Sequence, residues 1–244
     1  MKALPLWKAA VGCIFAIAVV KQLFGGLGCN FANPAITGRV FLLLSFAGDM
    51  TTWVKPFYYH GLSIGNQLSS SAGSLDLDAV TSATPLVTGT ESLSNLFLGN
   101  VGGCIGETSA LALLLGGLFL IFTRVISPST PIAYLGSLGI LTFFHALATG
   151  GSLTEVPYAL LSGGVMIGAF FMATDYVTTP ITTKGKWIFG IGCGILTFVI
   201  REFASMPEGC SFSILLMNLL TPYIDKFTMT KPLGAKPIKQ KEEA

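Results

Sequence analysis

Charged residues are scarce in this sequence of 244 residues. They make up 11% of it, whereas hydrophobic residues make up 52%. Soluble domains carry about 25% charged residues, so the composition excludes an ordinary soluble enzyme and indicates a polytopic membrane protein embedded in the lipid bilayer. The formal net charge is only +2, and no basic stripe with interleaved aromatic residues is present. Nucleic-acid binding is therefore not expected.

The sequence also lacks the patterns of common metal and nucleotide sites. Its five cysteines include no Cys-x-x-Cys pair, and three of them fall in or beside apolar segments. This favours buried thiols over a disulfide or metal framework. His60 and His145 have no partner at metal-ligand spacing and are interpreted as surface or packing residues. No HExxH, P-loop or dinucleotide fingerprint occurs, so neither a metal site nor an NADH site is predicted.

Apolar segments predict the architecture. They run at about 8–24, 33–49, 107–123, 131–149, 159–174, 187–204 and 211–226. Several are near the lower end of the roughly 17–25 residues that span a bilayer, and all are rich in small residues that let membrane helices pack closely. The expected fold is all-α and polytopic, with seven visible transmembrane helices within a transmembrane domain at 1–226, an outside loop at about 50–106 and a cytoplasmic tail at 227–244.

Lysine and arginine set the predicted orientation, because cytoplasmic loops are enriched in them. The C-terminal tail contains a cluster of lysines and is therefore placed in the cytoplasm. Counting back along the segments, Lys184 and Arg124 fall on the same side, and Lys21 and Arg39 bracket another inside turn. The loop at about 50–106 then lies outside, on a protein of the cytoplasmic (inner) membrane.

The long loop contains the most distinctive polar stretch, DAVTSATPL at residues 78–86. Read alone, Thr84-Pro85 is typical of a helix start, with threonine as N-cap and proline at the first helical position. A loop this long inside a compact domain is usually functional or disordered, and we interpret it as functional. Its Asp-x-x-Thr-x-Ala-Thr core resembles the site at which flavin transferases attach FMN to subunits of the Rnf and Na+-pumping NADH:quinone oxidoreductase (Nqr) complexes.

This resemblance implies a covalent flavin site. Thr84 would carry FMN through a phosphodiester bond, and a flavin transferase would be a partner. The site needs a hydroxyl on an accessible loop with small neighbours; Ser82 stands where the family more often has glycine. The flavin would supply the redox chemistry, with the protein supplying position and electrostatics. Riboflavin is a further candidate cofactor. The other implied binding residues in the loop are Asp78, Thr81, Ser82, Ala83 and Pro85.

Two further stretches resemble the same RnfD/NqrB family. GGLGCNFANPA at 25–35 contains Asn30 and Asn33, which can satisfy backbone groups at a helical corner or contact a polar ligand. GGCIGETSAL at 102–111 contains Glu107, which is expected to begin a helix at the outer surface, where a carboxylate suits the helix dipole. The alternative places Glu107 near the flavin or an ion path.

Another resembling stretch is FFMATDYVTTP at 170–180, in which Tyr176 stands where the family usually has proline. Asp175 lies at a predicted helix C-terminus, where its charge is unfavourable, so we expect it to have a partner. The candidates are Lys184, a cation or a bound flavin. Arg201 and Glu202 are adjacent and do not share a helix face, so each is expected to pair with another residue or with the surface.

The resemblance covers about residues 5–222. It implies a fold of ten transmembrane segments in two inverted five-helix halves, similar to urea transporters, with three segments preceding residue 1. It also implies a membrane subunit of an Rnf complex, an ion-translocating ferredoxin:NAD+ oxidoreductase. Covalent FMN would relay electrons with flavins and iron–sulfur centres of partner subunits, coupled to Na+ or H+ transport. Three alternatives stay open: an NqrB-type subunit, a small-solute channel or transporter, and a structural membrane anchor.

Overall fold

The computed structural model describes residues 5–26, 28–51, 53–54, 81–82, 91–104, 106–204 and 209–229. The described chain is helical apart from one pair of very short strands. Two of the helices continue without interruption as π-helical stretches: α1 into Phe15–Gln22, and α8 into Gly168–Met172. The helices are α1 (Leu6–Ile14), α2 (Pro34–Ser45), α3 (Ala47–Met50), α4 (Leu93–Leu98), α5 (Ala110–Phe122), α6 (Ser129–Thr149), α7 (Glu155–Leu161), α8 (Val165–Ile167), α9 (Thr183–Phe203) and α10 (Cys210–Thr228).

Each predicted apolar segment coincides with a helical stretch, which agrees with a helical membrane protein. Within the described residues, α6 and α9 are the two helices that are long and apolar enough to cross a membrane on their own. A third candidate span is formed by α7 together with α8 and its π-helical continuation. Only the combined stretch is long and apolar enough to cross a membrane. The helices α2 and α5 are apolar but shorter. The count of seven spans therefore stays a prediction.

The apolar segment at about 159–174 does not form one straight helix, because the chain breaks between α7 and α8. The two parts are bent by 63° relative to each other. Ser162 leaves the helical conformation with ψ 143°, and Gly163 follows with φ 65°, a left-handed conformation that glycine adopts without a steric penalty. Hydropathy alone does not reveal this break, since the residues on both sides are apolar.

One short antiparallel pair departs from the all-α prediction. Trp53–Val54 (β1) pairs with Thr81–Ser82 (β2), and Trp53 lies opposite Ser82. The pair joins two points of the long loop that are far apart in sequence. It is the only strand pairing in the part of the chain that the structure describes.

The helices α6 and α9 pack with their backbones almost in contact. A Cβ atom built on Gly190 would lie 2.7 Å from the carbonyl oxygen of Thr130, and one on Gly194 would lie 2.7 Å from the carbonyl oxygen of Tyr134. Small residues at such a crossing are the usual means by which membrane helices approach closely. The third long helix, α10, packs against α9 on another side.

The core where α6, α9 and α10 meet is mostly apolar but contains buried thiols. Cys193 and Cys210 belong to this cluster with Tyr134, Phe189 and Ile214. Cys104 is also buried, and Cys13 and Cys29 are exposed; none of the five forms a disulfide bond. The prediction of buried thiols outside any disulfide is therefore confirmed for three of the five cysteines.

Candidate functional site

The candidate flavin loop is only partly described. Thr81 and Ser82 form β2, of which the structure describes the backbone. Asp78, Ala83, Thr84 and Pro85 lie outside the described residues. The role of the loop in flavin binding therefore stays a prediction.

Glu107 does not begin a helix at the outer surface, so that prediction is wrong. The helix α5 begins three residues later, and Ser109 caps it by accepting a hydrogen bond from the Ala112 amide at 3.3 Å. Glu107 is instead 8% exposed, and its Oε1 accepts a hydrogen bond from the Cys104 amide at 2.8 Å. Gly106, with φ 87°, turns the chain just before it. The carboxylate therefore folds back into the protein.

Arg39 is the cationic partner of Glu107. Its Nη2 lies 3.9 Å from Glu107 Oε2 and 3.0 Å from Cys104 Sγ, and its Nη1 lies 3.4 Å from Ser211 Oγ. The two side chains are only 20% and 5% exposed. The guanidinium thus joins α2, the turn before α5 and the start of α10. Arg39 was predicted to flank an inside turn and so to indicate the orientation in the membrane. Only lysines and arginines in loops indicate orientation, whereas the charge of Arg39 lies in an interior ion pair.

The break between α7 and α8 packs directly on this ion pair. A Cβ atom built on Gly164 would lie 3.1 Å from Glu107 Oε2 and 3.9 Å from Arg39 Nη1. The carbonyl oxygen of Gly164 accepts a hydrogen bond from Cys210 Sγ at 3.3 Å. An ionisable pair in the interior of a membrane protein is expensive and is commonly functional. The structure therefore makes Glu107 part of an interior polar centre.

Asn33 organises the turn before α2. Its Oδ1 accepts hydrogen bonds from the amides of Ala35 and Ile36 at 3.0 and 3.3 Å, and Pro34 occupies the first helical position. This is the standard N-cap arrangement. Asn30 differs, because its Oδ1 is buried and has no hydrogen-bond partner within the described residues. Asn33 thus has a structural role, and Asn30 retains a free acceptor.

Asp175 has a hydroxyl partner within the described part of the chain. Its Oδ2 accepts a hydrogen bond from Thr178 Oγ1 at 3.0 Å. No ion pair links it to Lys184 within the described ranges, so Lys184 is not its partner, and a cation or a bound flavin stays a prediction. The carboxylate faces its own turn, and that turn satisfies part of its hydrogen-bonding capacity.

Asn218 joins the turns that contain Asn33 and Asp175, and the sequence pattern did not indicate it. In the orientation of its side-chain amide that satisfies both neighbours, its nitrogen donates to the Thr178 carbonyl oxygen at 3.2 Å and its oxygen accepts from the Asn33 backbone amide at 3.2 Å. The sequence offered one signal for its role, because Asn218 places a polar side-chain amide within the apolar segment at 211–226. The structure therefore links the turns of Asn33 and Asp175 through the middle of α10, whereas Arg39, the partner of Glu107, contacts Ser211 at the start of that helix.

A cavity of about 550 Å³ lies among α4, α6, α7 and α9. Arg201 lines it and holds the end of α7: its Nη1 donates to the Ala159 carbonyl oxygen at 2.7 Å and its Nη2 to that of Ser162 at 3.1 Å. Glu202, the adjacent lining residue, lies 3.9 Å from His145 Nε2. The prediction that Arg201 and Glu202 pair with different residues is confirmed. Other polar lining residues are Glu91, Thr142, Thr154, Glu155, Tyr158 and Ser162.

These features define a multi-pass helical membrane protein with a broken helix and an interior ion pair. The chain belongs to the NQR2, RnfD, RnfE family, whose model matches residues 2–234. The resemblance that the loop and the glycine-rich turns indicated is thereby confirmed.

Individual relatives match along nearly the whole chain. It is 47% identical to the D subunit of the Na+-translocating ferredoxin:NAD+ oxidoreductase complex of Acetobacterium woodii, over 98% of this chain and 70% of that protein. It is 42% identical to the D subunit of the proton-translocating ferredoxin:NAD+ oxidoreductase complex of Clostridium ljungdahlii, over 96% of this chain and 70% of that protein. It is 40% identical to the D subunit of the ion-translocating oxidoreductase complex of Stutzerimonas stutzeri, over 94% of this chain and 71% of that protein.

Proposed function

We propose that the chain is the membrane-embedded D subunit of an Rnf complex, an ion-translocating ferredoxin:NAD+ oxidoreductase. The observation that carries this proposal is the 47% identity, along 98% of the chain, to a protein that bears that name. Its partners are then the other membrane, flavin-bearing and iron–sulfur subunits of the complex. The interior Arg39–Glu107 pair supports an ion-transport role, because buried charges in membrane proteins commonly mark ion pathways.

The proposal includes FMN attached to Thr84 by a flavin transferase. A threonine hydroxyl has the chemistry that a phosphodiester requires, and small residues precede Thr84. The β1–β2 pair anchors the backbone at Ser82, two positions before Thr84, which suits a site where a cofactor is held in place. When bound, the flavin supplies electron transfer, and the protein supplies its position.

Riboflavin is proposed as a second, noncovalent cofactor. Asn30 provides a buried acceptor oxygen that has no partner within the described residues, and an isoalloxazine ring provides an N–H donor. A buried polar atom without a partner is costly, so a ligand that donates to Asn30 would be favoured. This supports the prediction that the turn at 25–35 contributes to a flavin site.

The proposed arrangement in the membrane is ten transmembrane segments in two inverted halves, similar to urea transporters. The long loop lies outside the cytoplasmic membrane, and the C-terminal tail lies in the cytoplasm. The break between α7 and α8 supports this fold class, because transporters with inverted repeats often contain discontinuous helices beside their ion sites. Whether Na+ or H+ is coupled is left to measurement; relatives of both names match this chain.

In-gel flavin fluorescence tests the covalent cofactor. The chain is expressed with a flavin transferase and denatured in SDS, and the wild type is compared with Thr84→Ala. Thr88→Ala is the matched control, because Thr88 is a hydroxyl residue of the same loop outside the motif. We expect fluorescence in the wild type and in the control, and none in Thr84→Ala. A dark wild-type band, with the transferase active on another substrate, would contradict covalent flavin and favour a channel or an anchor.

The second candidate function is an NqrB-type subunit of a quinone-reducing sodium pump, because the matching family model includes both kinds of protein. The two are separated by the activity of the isolated complex. Ferredoxin-dependent NAD+ reduction supports the Rnf assignment. Quinone reduction without ferredoxin dependence would reverse it.

A further inference from the structure

Positive charge gathers at one end of the helix bundle, which we call the basic end. Tyr176 Oη, in the turn before α9, donates to the carbonyl oxygen of Val125, next to Arg124, at 3.3 Å. Thr182 Oγ1, at the start of α9, donates to Thr228 Oγ1, at the end of α10, at 2.7 Å. The cations of the basic end are exposed or half-exposed and form no ion pair within the described residues: Arg124, Lys184, Lys186 and Lys226. They outnumber the described carboxylates of this end, which are Asp175 and Asp225.

Arg124 has a backbone conformation that arginine rarely adopts. Its φ is 59°, and it is the one residue other than glycine with a positive φ in the part of the chain that the structure describes. Its amide donates to the Ile121 carbonyl oxygen at 3.0 Å, and the Val125 amide donates to the Leu120 carbonyl oxygen at 3.0 Å. Glycine is the usual residue in this helix-ending turn, because it has no side chain to clash. The conformation of the turn therefore gives no reason for an arginine.

Lys184 and Lys186 lie where the dipole of α9 disfavours a cation. The helix begins at Thr183, so both lysines are among its first four residues, and its first turn contains no acidic residue. A positive charge at a helix N-terminus is unfavourable. The lysines therefore do not stabilise the helix that contains them. Together with Arg124, they indicate that the charge of the basic end serves an interaction outside the chain.

The basic end lies at the depth of the lipid headgroups. The helix α9 has 21 residues and is apolar enough to cross a membrane. At about 1.5 Å per residue its length matches the hydrocarbon thickness of about 30 Å, so its first residues reach the headgroup region. Tyrosine and tryptophan are enriched at this depth, and Tyr176, Trp187 and Tyr223 are 76%, 42% and 64% exposed. This depth favours a lipid as the partner over an acidic segment of a protein, because headgroups surround these residues throughout the bilayer.

We propose that the basic end binds anionic phospholipid headgroups, with Arg124, Lys184 and Lys186 as contacts to phosphate. Arginine and lysine both bind phosphate, and basic residues beside a membrane span attract anionic lipids. The inference requires only that α9 crosses the bilayer. It does not depend on the flavin or on the coupled ion.

Quenching of Trp187 fluorescence by brominated lipids tests the two lysines. In a background with Trp7→Phe and Trp53→Phe, Trp187 is the single tryptophan of the chain. The full chain is reconstituted into phosphatidylcholine vesicles that contain brominated phosphatidylglycerol or brominated phosphatidylcholine. We expect the anionic lipid to bind beside Trp187 at least about fivefold more strongly than the neutral lipid. This preference should fall towards one when Lys184→Gln and Lys186→Gln are combined.

Lys8→Gln is the matched control for these variants. It also removes one lysine charge, but Lys8 pairs with Asp49 and does not belong to the basic end. The preference measured at Trp187 should therefore be unchanged. Equal quenching by the two lipids in the unsubstituted background would overturn the proposal and favour an acidic protein segment as the occupant. A preference that persists when both lysines are replaced would also overturn it.

Arg124 is tested by thermal unfolding in detergent with added phosphatidylglycerol or phosphatidylcholine. A lipid that binds the folded protein raises its unfolding temperature in a saturable way. Without lipid, Arg124→Gly should unfold at no lower temperature than the wild type, because glycine suits the left-handed backbone. Its half-saturating concentration of phosphatidylglycerol should nevertheless be about fivefold higher. Arg124→Lys retains the charge and should respond like the wild type. Equal responses of Arg124→Gly and the wild type would overturn the role proposed for Arg124.

Discussion

The phenolic oxygen of Tyr134 on α6 lies 2.7 Å from Oγ1 of Thr197 on α9. Thr197 Oγ1 in turn lies 2.7 Å from Ser213 Oγ on α10, which is 3.4 Å from the Tyr134 hydroxyl. Three helices are thus connected by a closed set of hydroxyl groups inside an apolar core. Because each oxygen has at least one partner, the set avoids the cost of burying unsatisfied polar atoms.

Removing the Tyr134 hydroxyl should have a modest effect. In Tyr134→Phe the hydroxyl groups of Thr197 and Ser213 still form a hydrogen bond with each other. We therefore expect the free energy of unfolding to fall by about 1 kcal/mol, as for other hydrogen bonds between membrane helices. Tyr134→Ala also removes a fully buried ring and should cost about 3–5 kcal/mol. Thermal unfolding in detergent measures both. Equal losses in the two variants would show that the hydroxyl, rather than the packing of the ring, dominates.

The glycines of α9 allow a direct test of the close crossing with α6. Gly190→Ala and Gly194→Ala each place a methyl group 2.7 Å from a carbonyl oxygen of α6, so the helices must separate. We expect each to destabilise the protein by about 1–3 kcal/mol, as overpacked core variants do.

Gly136→Ala on α6 is the control for this crossing. A Cβ atom at Gly136 meets no atom within 4 Å, and alanine is the better helix former, so unfolding temperature should be unchanged or higher. A loss as large as that of Gly194→Ala would contradict the explanation from the crossing, because Gly136 makes no such close approach.

The interior ion pair should be sensitive to removal of either partner. Arg39→Met leaves Glu107, which is 5% exposed at its side chain, without its cation, and we expect a loss of about 3 kcal/mol. The double variant with Glu107→Gln should lose less free energy of unfolding than the two single variants added together. In this double-mutant cycle the coupling free energy should be about 1–3 kcal/mol.

The pair His145–Glu202 provides the comparison, because it has the same separation of 3.9 Å but side chains that are 36% and 37% exposed. The coupling free energy of this pair, measured in a double-mutant cycle with His145→Gln and Glu202→Gln, should be below about 1 kcal/mol. Similar coupling energies for the two pairs would contradict the argument from burial.

Much of the fold could be predicted from the sequence, because apolar composition over long stretches determines where membrane helices form. Each apolar segment coincides with a helical stretch, and Asn33-Pro34 marks the start of α2. Gly163-Gly164 was a local signal for a break after Ser162, but Arg201, which binds the carbonyl oxygens of Ala159 and Ser162 from a different helix, could not be predicted. Composition around residue 162 contains no sign of that distant donor.

The candidate site was predictable only where its residues form a local motif. The loop at 78–86 and the turn that contains Asn33 are continuous in sequence, so their residues could be named. Arg39, Glu107 and Ser211 are far apart in the chain and meet only after folding. Their chemistry can be read from the sequence but their contacts cannot, which is why Arg39 was predicted to flank an inside turn and Glu107 to begin a helix.

Asn218 allows a test of how the two polar turns are held together. It accepts from the Asn33 amide and donates to the Thr178 carbonyl oxygen, but that carbonyl also accepts from Thr221 Oγ1 at 2.9 Å. In Asn218→Leu the carbonyl oxygen of Thr178 keeps one donor, whereas the backbone amide of the half-buried Asn33 loses its acceptor. We expect a loss of about 1–3 kcal/mol, caused mainly by that amide.

Thr221→Val is the matched variant, because it removes the other donor to Thr178 and leaves Asn33 untouched. Its cost should be smaller, since Asn218 still serves the carbonyl oxygen. Hydrogen exchange of the Asn33 backbone amide separates the loss of its acceptor from the loss of a donor to Thr178. The exchange should accelerate in Asn218→Leu and stay at the wild-type rate in Thr221→Val. An unchanged exchange rate in Asn218→Leu would mean that the turn before α2 does not depend on α10 for its position.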